Sequence, residues 1–363
     1  MQAAAVAVDT ESNSLYAYQE QVCLVQFSTP EANYLVDPLA LKREGMEILA
    51  PLFSAPQIEK IFHAAEYDLI CLSRDFGFQF NNVFDTMWAA TVLGWSEVGL
   101  SSILSLMFNV HLNKRYQQAN WGMRPLPMKY LEYAIQDTHY LIPLSQELKK
   151  QLRQTQRLEL FQEDCTHLTR INGTKDPQFN EFQSAKQHAA KKAQAYQFSR
   201  RQTAVLQELY LFRLKIARQY NQPVYRILPE KALLSLASCL PRDRHALQQC
   251  PELSSKLIRK FGDGLIQTIQ RGLQTPPSEV ELPSQKTIQD ERVQKRYEAL
   301  KRWRKNQALQ MGVKSDVVLP KHLLEVLSHH QPANIEDLHL LMKEYPYRAN
   351  LFGSAIFQIL SHS

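Results

Sequence analysis

The chain has 363 residues, 44% hydrophobic and 21% charged, the balance of an ordinary folded protein with enough length for two or three domain cores. Its opening "MQAAAVAVDT" has no basic segment and runs straight into an apolar strand, which argues against a secretory signal. No apolar run approaches the roughly 20 residues of a membrane span. The net charge of +6 hides a split: residues 1–150 hold 10 Lys/Arg against 16 Asp/Glu, a balance of −6, and residues 151–363 hold 32 against 20, a balance of +12. An acidic half joined to a basic half fits a cation-binding site joined to a polyanion-binding surface.

Along the first 145 residues, "AAAVAV", "QVCLVQFS" and "NYLVD" are Val-rich and apolar or alternating, and read as strands. "KREGMEILAPLF" reads as a helix, "IEKIFHAA" as a buried strand, and "EYDLICLSRDFG" as a helix ending at Gly77. This alternation predicts a central sheet covered by helices. From about Leu131 the pattern is helical, broken by "NGTKDPQFNEFQ" at 172–183 and "QTPPSEVELPSQK" at 274–286, which carry the Gly, Pro and Asn of linkers. A shift of 91 residues aligns Leu209 with Leu300, Phe212 with Trp303, Arg213 with Arg304, Leu228-Pro229 with Leu319-Pro320, and Phe261-Gly262 with Phe352-Gly353. Apolar anchors and turn formers matching in one register predict two copies of one small helical domain. The expected organisation is an α/β domain over 1–171, a linker over 172–197, helical domains at 198–273 and 289–363, and a second linker at 274–288. The five cysteines are scattered, odd in number and without a C-x-x-C pair, which points to a reducing compartment and against a disulfide framework or a zinc site. The expected location is the cytoplasm, where the Asn172-Gly-Thr glycosylation match has no meaning.

In "AVAVDTES", Asp9 and Glu11 stand two apart at the end of an apolar strand, so their side chains share one face. Like charges that close are unfavourable without a proton or a cation between them. "HAAEYDL" sets Asp68 early in a helix after a buried strand, and "YLEYAIQD" sets Tyr133 and Asp137 four apart on one helical face. Each feature alone has a plainer reading: a solvated strand end, a charge at a helix N-terminus, a surface pair. Four carboxylates converging with one tyrosine suit two divalent cations about 4 Å apart, which activate a water and stabilise the leaving oxygen of a phosphodiester.

In this order, "VAVDTES", "FHAAEYDL" and "YAIQD" resemble the three motifs of the DEDD superfamily of 3′–5′ exonucleases. Tyr-x-x-x-Asp indicates the tyrosine-bearing branch; the histidine branch would carry His where Glu132 stands. With "QVCLVQF", "YLVDPLAL", "FDTMWAA" and the segment from Ala119 to Leu144, the likeness covers essentially the whole chain. It is similar to the ribonuclease D family with two HRDC domains. The resemblance implies a ribonuclease H-like α/β exonuclease domain followed by two small all-α bundles. It implies Asp9, Glu11, Asp68 and Asp137 as ligands of two divalent cations, Mg²⁺ or Mn²⁺, and Tyr133 as the group orienting the attacking water. A tyrosine at neutral pH donates a hydrogen bond more readily than it takes a proton, which agrees.

Asp85 reads as a supporting residue rather than a ligand, and His63 and His139 as structural histidines. "RYQQANWGMRP" is expected to line the substrate path, with Arg115, Trp121 and Arg124 as phosphate or base contacts. Lys and Arg beside aromatic residues in "AKQHAAKKAQAYQFSRRQ" and "KRYEALKRWRKNQ" suit RNA, while Phe212 and Trp303 themselves read as core residues. Only eight residues precede Asp9, fewer than in relatives, so an edge element of the sheet is expected to be missing. The activity implied is a metal-dependent 3′–5′ exoribonuclease, a monomer with no membrane association, releasing nucleoside monophosphates from structured RNA such as tRNA precursors. A DNA exonuclease of repair type is the nearest alternative, since the motifs do not separate the sugars. A nuclease-dead RNA-binding module predicts loss of a ligand, and all five positions are filled.

Overall fold

The computed structural model describes residues 5–170, 181–282 and 290–362. Asn172 and parts of both expected linkers (172–180 and 283–288) lie outside the described residues. The chain divides into two compact units. One comprises residues 1–12, 22–174 and 289–363; the other comprises 13–21 and 175–288.

The first unit is built on a five-stranded sheet with strands β1 (Ala5–Ser12), β2 (Val22–Ser28), β3 (Asn33–Val36), β4 (Glu59–Phe62) and β5 (Val83–Asp85), in the order β3-β2-β1-β4-β5. β1–β2 and β2–β3 are antiparallel, and β1–β4 and β4–β5 are parallel. Strand alternation sorts β1 between two layers. Val6 and Val8 pack with Phe27, Phe62, Leu69 and Leu72 on one face, while Ala7 packs with Ile61, Phe84, Leu144 and Leu148 on the other. β4 pairs with β1 only as far as Ala7, so the last residues of β1 run on beyond it. The chain after β4 turns there into the helix Ala65–Phe76, which ends at Gly77 in the left-handed region (φ 75). "KREGMEILAPLF" is less regular than expected. It forms helix Pro38–Met46, with non-helical backbone at Lys42, then a 3₁₀ turn Glu47–Leu49 and helix Ala50–Ser54.

The second copy of the repeat belongs to this same unit. Arg348, fully buried, lies 2.5 Å from Glu163 and 2.8 Å from Asp164 of helix Leu158–Leu168, and donates to the Val317 and Val318 carbonyls. Arg157 donates to both the Val92 and the Met311 carbonyls. Gly94 (φ 88) faces Gly312 so closely that a Cβ on it would lie 2.2 Å from the Gly312 carbonyl oxygen, a contact that only glycine allows.

The other unit contains the first copy, centred on helices Arg200–Tyr220 and Ser255–Gln274. Of the described part of the expected linker, residues 181–197, the stretch Glu181–Ala195 is helical. Its alanine-rich sequence favours helix, and Ala189 and Ala193 are buried against Val205 and Leu209. Residues 13–21 pack into this unit: Tyr18 and Gln19 donate backbone N–H to Asn221, and the Tyr225 hydroxyl donates to the Leu15 carbonyl.

The two copies repeat in detail. Asp243 and Asn334 cap equivalent short helices through the N–H of Ala246 and Asp337. Phe212 meets Phe261 edge-on at 6.3 Å, as Trp303 meets Phe352 at 5.7 Å, so both aromatic residues serve their cores. Arg213 and Arg304 both bond backbone carbonyls of the short segment after their helix, those of Leu228 and Ser315.

Arg348→Ala leaves Glu163 buried without its cation and is expected to destabilise the first unit by about 3–5 kcal/mol. Arg348→Ala and Glu163→Ala together should cost less than the sum of the two. Denaturant unfolding of the single and double variants measures both.

Candidate active site

The last residues of β1 and two helices from opposite layers form the site. Asp9 and Glu11 project to the face covered by helix Met128–His139, which carries Tyr133 and Asp137. One carboxylate oxygen from each of Asp9, Glu11 and Asp137 can be chosen so that all lie within 4.8 Å of one another. Thr10 projects to the opposite layer, where its hydroxyl donates to the buried Asp68. Asp68 thus approaches Asp9 from the other side of the strand.

The helix of Asp68 begins at Ala64, in the left-handed region (φ 65) and without a cap of its own. Asp85, at the end of β5, supplies one instead. Its carboxylate accepts the N–H groups of Ala64 (3.0 Å) and Ala65 (2.9 Å), and those of Met87 (2.9 Å) and Trp88 (3.1 Å) at the start of the next helix. Asp85 therefore fixes the mount of Asp68, the supporting place expected of it.

Electrostatics marks the cluster. Burial first, then repulsion from Asp68, Asp137 and Glu11, raises Asp9 far above the carboxylate range. Burial, then Asp137 and Asp68, pushes Glu11 to about 9. Burial pushes Asp68 and Asp137 to about 7, opposed by hydrogen bonds from Thr10 and Tyr133 respectively. The Tyr133 hydroxyl is raised by burial and by the surrounding carboxylates, so it keeps its proton and donates to Asp137. Gln26, opposite Asp9 on β2, is fully buried, and neither of its amide atoms has a hydrogen-bond partner among the described residues. A set of hard oxygen donors that repel one another, beside an orphaned amide, fits a divalent cation.

A cavity of about 360 Å³ opens on the cluster, and His63, Lys114, Gln117 and Gln136 share its lining. His63 is held neutral, its pKa pushed down to about 4 by burial. The Thr86 hydroxyl spends its proton on the Phe62 carbonyl, so it accepts from Nδ1 of His63 and leaves Nε2 as an acceptor. Neither Thr10 nor Gln26 stands out in the sequence; only strand alternation and register show what they face. His139 lies away from the cavity, beside Asn33 and Tyr140.

Two expected substrate contacts need correction. Trp121 is 1% exposed, packed against Tyr130 (5.3 Å) and Tyr133 (6.1 Å), so it backs the tyrosine instead of meeting a base. Arg124 is held by Asp37 (2.6 and 2.8 Å) and by the carbonyls of Cys23, Trp121 and Met123, which leaves it to lock this segment in place. Arg115 is exposed, next to the cavity residue Lys114.

A parallel-antiparallel sheet with an acidic cluster at the end of its central strand, followed by paired helical repeats, is the architecture of a nuclease with accessory domains. The 3′–5′ exonuclease family model matches residues 1–153, and the HRDC domain model matches 202–269 and 293–360. The exosome complex exonuclease RRP6 of Saccharomyces cerevisiae is 32% identical over 246 residues, 66% of this chain and 33% of that protein. The chain spans about a third of the length of the curated relatives it matches. The catalytic core of RRP6 from Trypanosoma brucei superposes with a TM-score of 0.63 at 30% identity, covering 75% of this chain and 74% of that one. RNase D of Escherichia coli, at 24% identity, shares the fold over 99% of this chain and 94% of its own, with a TM-score of 0.68. The chain belongs to the 3′–5′ exonuclease family of RRP6, with two HRDC domains.

Raised carboxylate pKa values make the metal-free site a pH-dependent cost. Their contribution to stability is fully present below about pH 4, where the carboxyls are protonated in both states, and is lost as pH rises through about 7 to 9. Melting in EDTA should therefore fall as pH goes from 5 to 9. Mg²⁺ or Mn²⁺ should raise it by at least a few degrees at pH 8 and by less at pH 5; an equal rise at both values would show that the cation binds elsewhere.

Proposed function

We propose that the protein is a metal-dependent 3′–5′ exoribonuclease that releases nucleoside monophosphates from the ends of structured RNA, tRNA precursors among them, as a cytoplasmic monomer. The observation that carries this reading is the convergence of Asp9, Glu11 and Asp137 within 4.8 Å, with Asp68 and Tyr133 joined to them by electrostatic coupling and hydrogen bonding. The RRP6 relative is itself an exosome complex exonuclease. Among the described residues no helix is long and apolar enough to cross a membrane.

Asp9, Glu11, Asp68 and Asp137 would hold two Mg²⁺ or Mn²⁺ ions, whose chemistry when bound is to activate a water and to stabilise the leaving oxygen. Tyr133 keeps its proton, so it orients the attacking water by a hydrogen bond and does not act as a base. Tyr116 and Trp121 pack against its ring, and Tyr130 packs on both of them. His63 offers a neutral acceptor to a sugar hydroxyl in the cavity, and Lys114 and Arg115 offer positive charge to the phosphates.

Incubation with a labelled 3′-extended tRNA, with and without Mg²⁺ or Mn²⁺, tests the reading, and matched RNA and DNA oligonucleotides test the choice of sugar. Stepwise shortening from the 3′ end that needs metal and favours RNA is expected; hydrolysis that persists in EDTA overturns it. Asp9→Asn or Asp137→Asn should abolish turnover while RNA binding survives. Tyr133→Phe should lower kcat roughly 10²-fold or more with metal affinity little changed, as expected when a positioned proton-bearing group is lost. An unchanged rate would reduce the Tyr133–Asp137 pair to packing.

A further inference from the structure

A second cavity, of about 550 Å³, lies across the N-terminal turn of the Asp68 helix from the cation cluster. His63 lines the first cavity, and Ala64, Glu66 and Tyr67 line the second. Its walls come from two separate stretches of the first unit, the exonuclease part and the second helical repeat. They are aromatic. Tyr67 is 49% exposed and Trp88 half-buried, and Tyr345 forms part of the floor, its hydroxyl 2.9 Å from His322. The Trp88 indole is fixed by a 2.8 Å bond from its N–H to Asp164. Tyr67 directly precedes Asp68 in the chain, and its hydroxyl lies 3.4 Å from that of Ser12, the residue after Glu11. The cavity thus begins where the cluster ends.

Acidic residues in the walls do not make it a cation site. Asp85 is spent on four backbone N–H groups, Asp164 on Arg348 and Trp88, and Asp316 on Arg304. Glu66 is exposed at the rim, where water screens its charge. Among the described residues, Lys321 at the mouth pairs only with the exposed Glu325, at 3.7 Å. So weak a pair yields readily to a phosphate.

We propose that this groove is a second nucleobase subsite, which holds one base of the RNA strand upstream of the scissile phosphate, stacked on Tyr67, with a backbone phosphate against Lys321. The proposal rests on the reading of the protein as an RNA exonuclease. Stacking on an aromatic face binds every base and so suits an enzyme that moves along a strand whatever its sequence. Because one wall belongs to the second repeat, that repeat takes part in placing the substrate as well as in holding the fold.

The test uses the full chain and oligoribonucleotides blocked at the 3′-terminal linkage by a methylphosphonate, so that binding is read without turnover. An abasic site is moved one position at a time from the 3′ end, and each oligonucleotide is titrated against wild type and Tyr67→Ala. In wild type, one internal position should show a loss of roughly tenfold when the base is removed, the size expected for one stacked base. Tyr67→Ala should abolish the penalty at that position alone, and Tyr67→Phe should restore it. At the same position 2-aminopurine should be quenched by wild type and not by Tyr67→Ala. Lys321→Ala should reduce the salt slope of binding by about one. Penalties that are the same at every position in both proteins, or absent throughout, overturn the subsite, as would a groove whose variants leave RNA binding untouched. Hydrolysis of unblocked RNA by wild type is followed separately, so failure of the exonuclease reading is told apart from failure of the subsite.

Discussion

Everything at the working end of the molecule depends on keeping mutually repelling carboxylates together where water is scarce. Alone, Asp9 and Glu11 could relax into solvent at the end of β1. The helix Met128–His139 closes over one face with Asp137, and the helix Ala65–Phe76 brings Asp68 from the other layer. The fold therefore holds an arrangement that is uphill until positive charge enters it. Two devices sustain it. Asp85 joins the starts of two helices through four backbone bonds, and Arg124 pins the segment behind Tyr133 to Asp37 and to the β2 carbonyl of Cys23. Both are charged groups placed to satisfy backbone and carboxylate partners in supporting positions, while the cluster itself receives the neutral hydroxyls of Thr10 and Tyr133.

The two helical repeats share a plan and differ in what they join. In the register that matches Phe261 to Phe352, the position equivalent to Arg348 is Leu257, half-buried within its own repeat. A leucine there packs; an arginine with no exposure must find carboxylates, and Glu163 and Asp164 supply them. This difference is one of those between a repeat that packs with residues 13–21 and 181–195 and one built into the unit that carries the site, which Arg157–Met311 and Gly94–Gly312 also join. The buried ion pair adds little net stability over a well-packed apolar contact. What it adds is directional: four bonds from one guanidinium admit one docking geometry.

The repeat was legible in the sequence because its structural determinants sit at fixed offsets: caps at Asp243 and Asn334, edge-on aromatic pairs, and proline-led helices after Leu228 and Leu319. Local periodicity also placed β1 to β4 and the Gly77 helix stop. It failed where tertiary context decided the outcome. β5 has only three residues and no pattern of its own. The helix after Asp37 broke at Lys42 although its composition favours continuity. The docking of Arg348 joins positions 185 and 184 residues apart in the chain, a separation that periodicity does not bridge.

The site divides in the same way. The convergence of Asp9, Glu11, Asp68, Tyr133 and Asp137 was readable because spacing of two on a strand and four on a helix fixes which side chains share a face. Trp121 and Arg124 were misplaced because a basic and aromatic segment has the same composition whether it touches nucleic acid or a neighbouring strand; burial alone separates the two. Thr10 and Gln26 had no signal because their importance is relational. Thr10 matters because odd and even positions of β1 face different layers, so the residue between two carboxylates reaches the third. Gln26 matters because antiparallel register sets it opposite Asp9. Motifs report which groups do chemistry, and strand register reports which groups aim them.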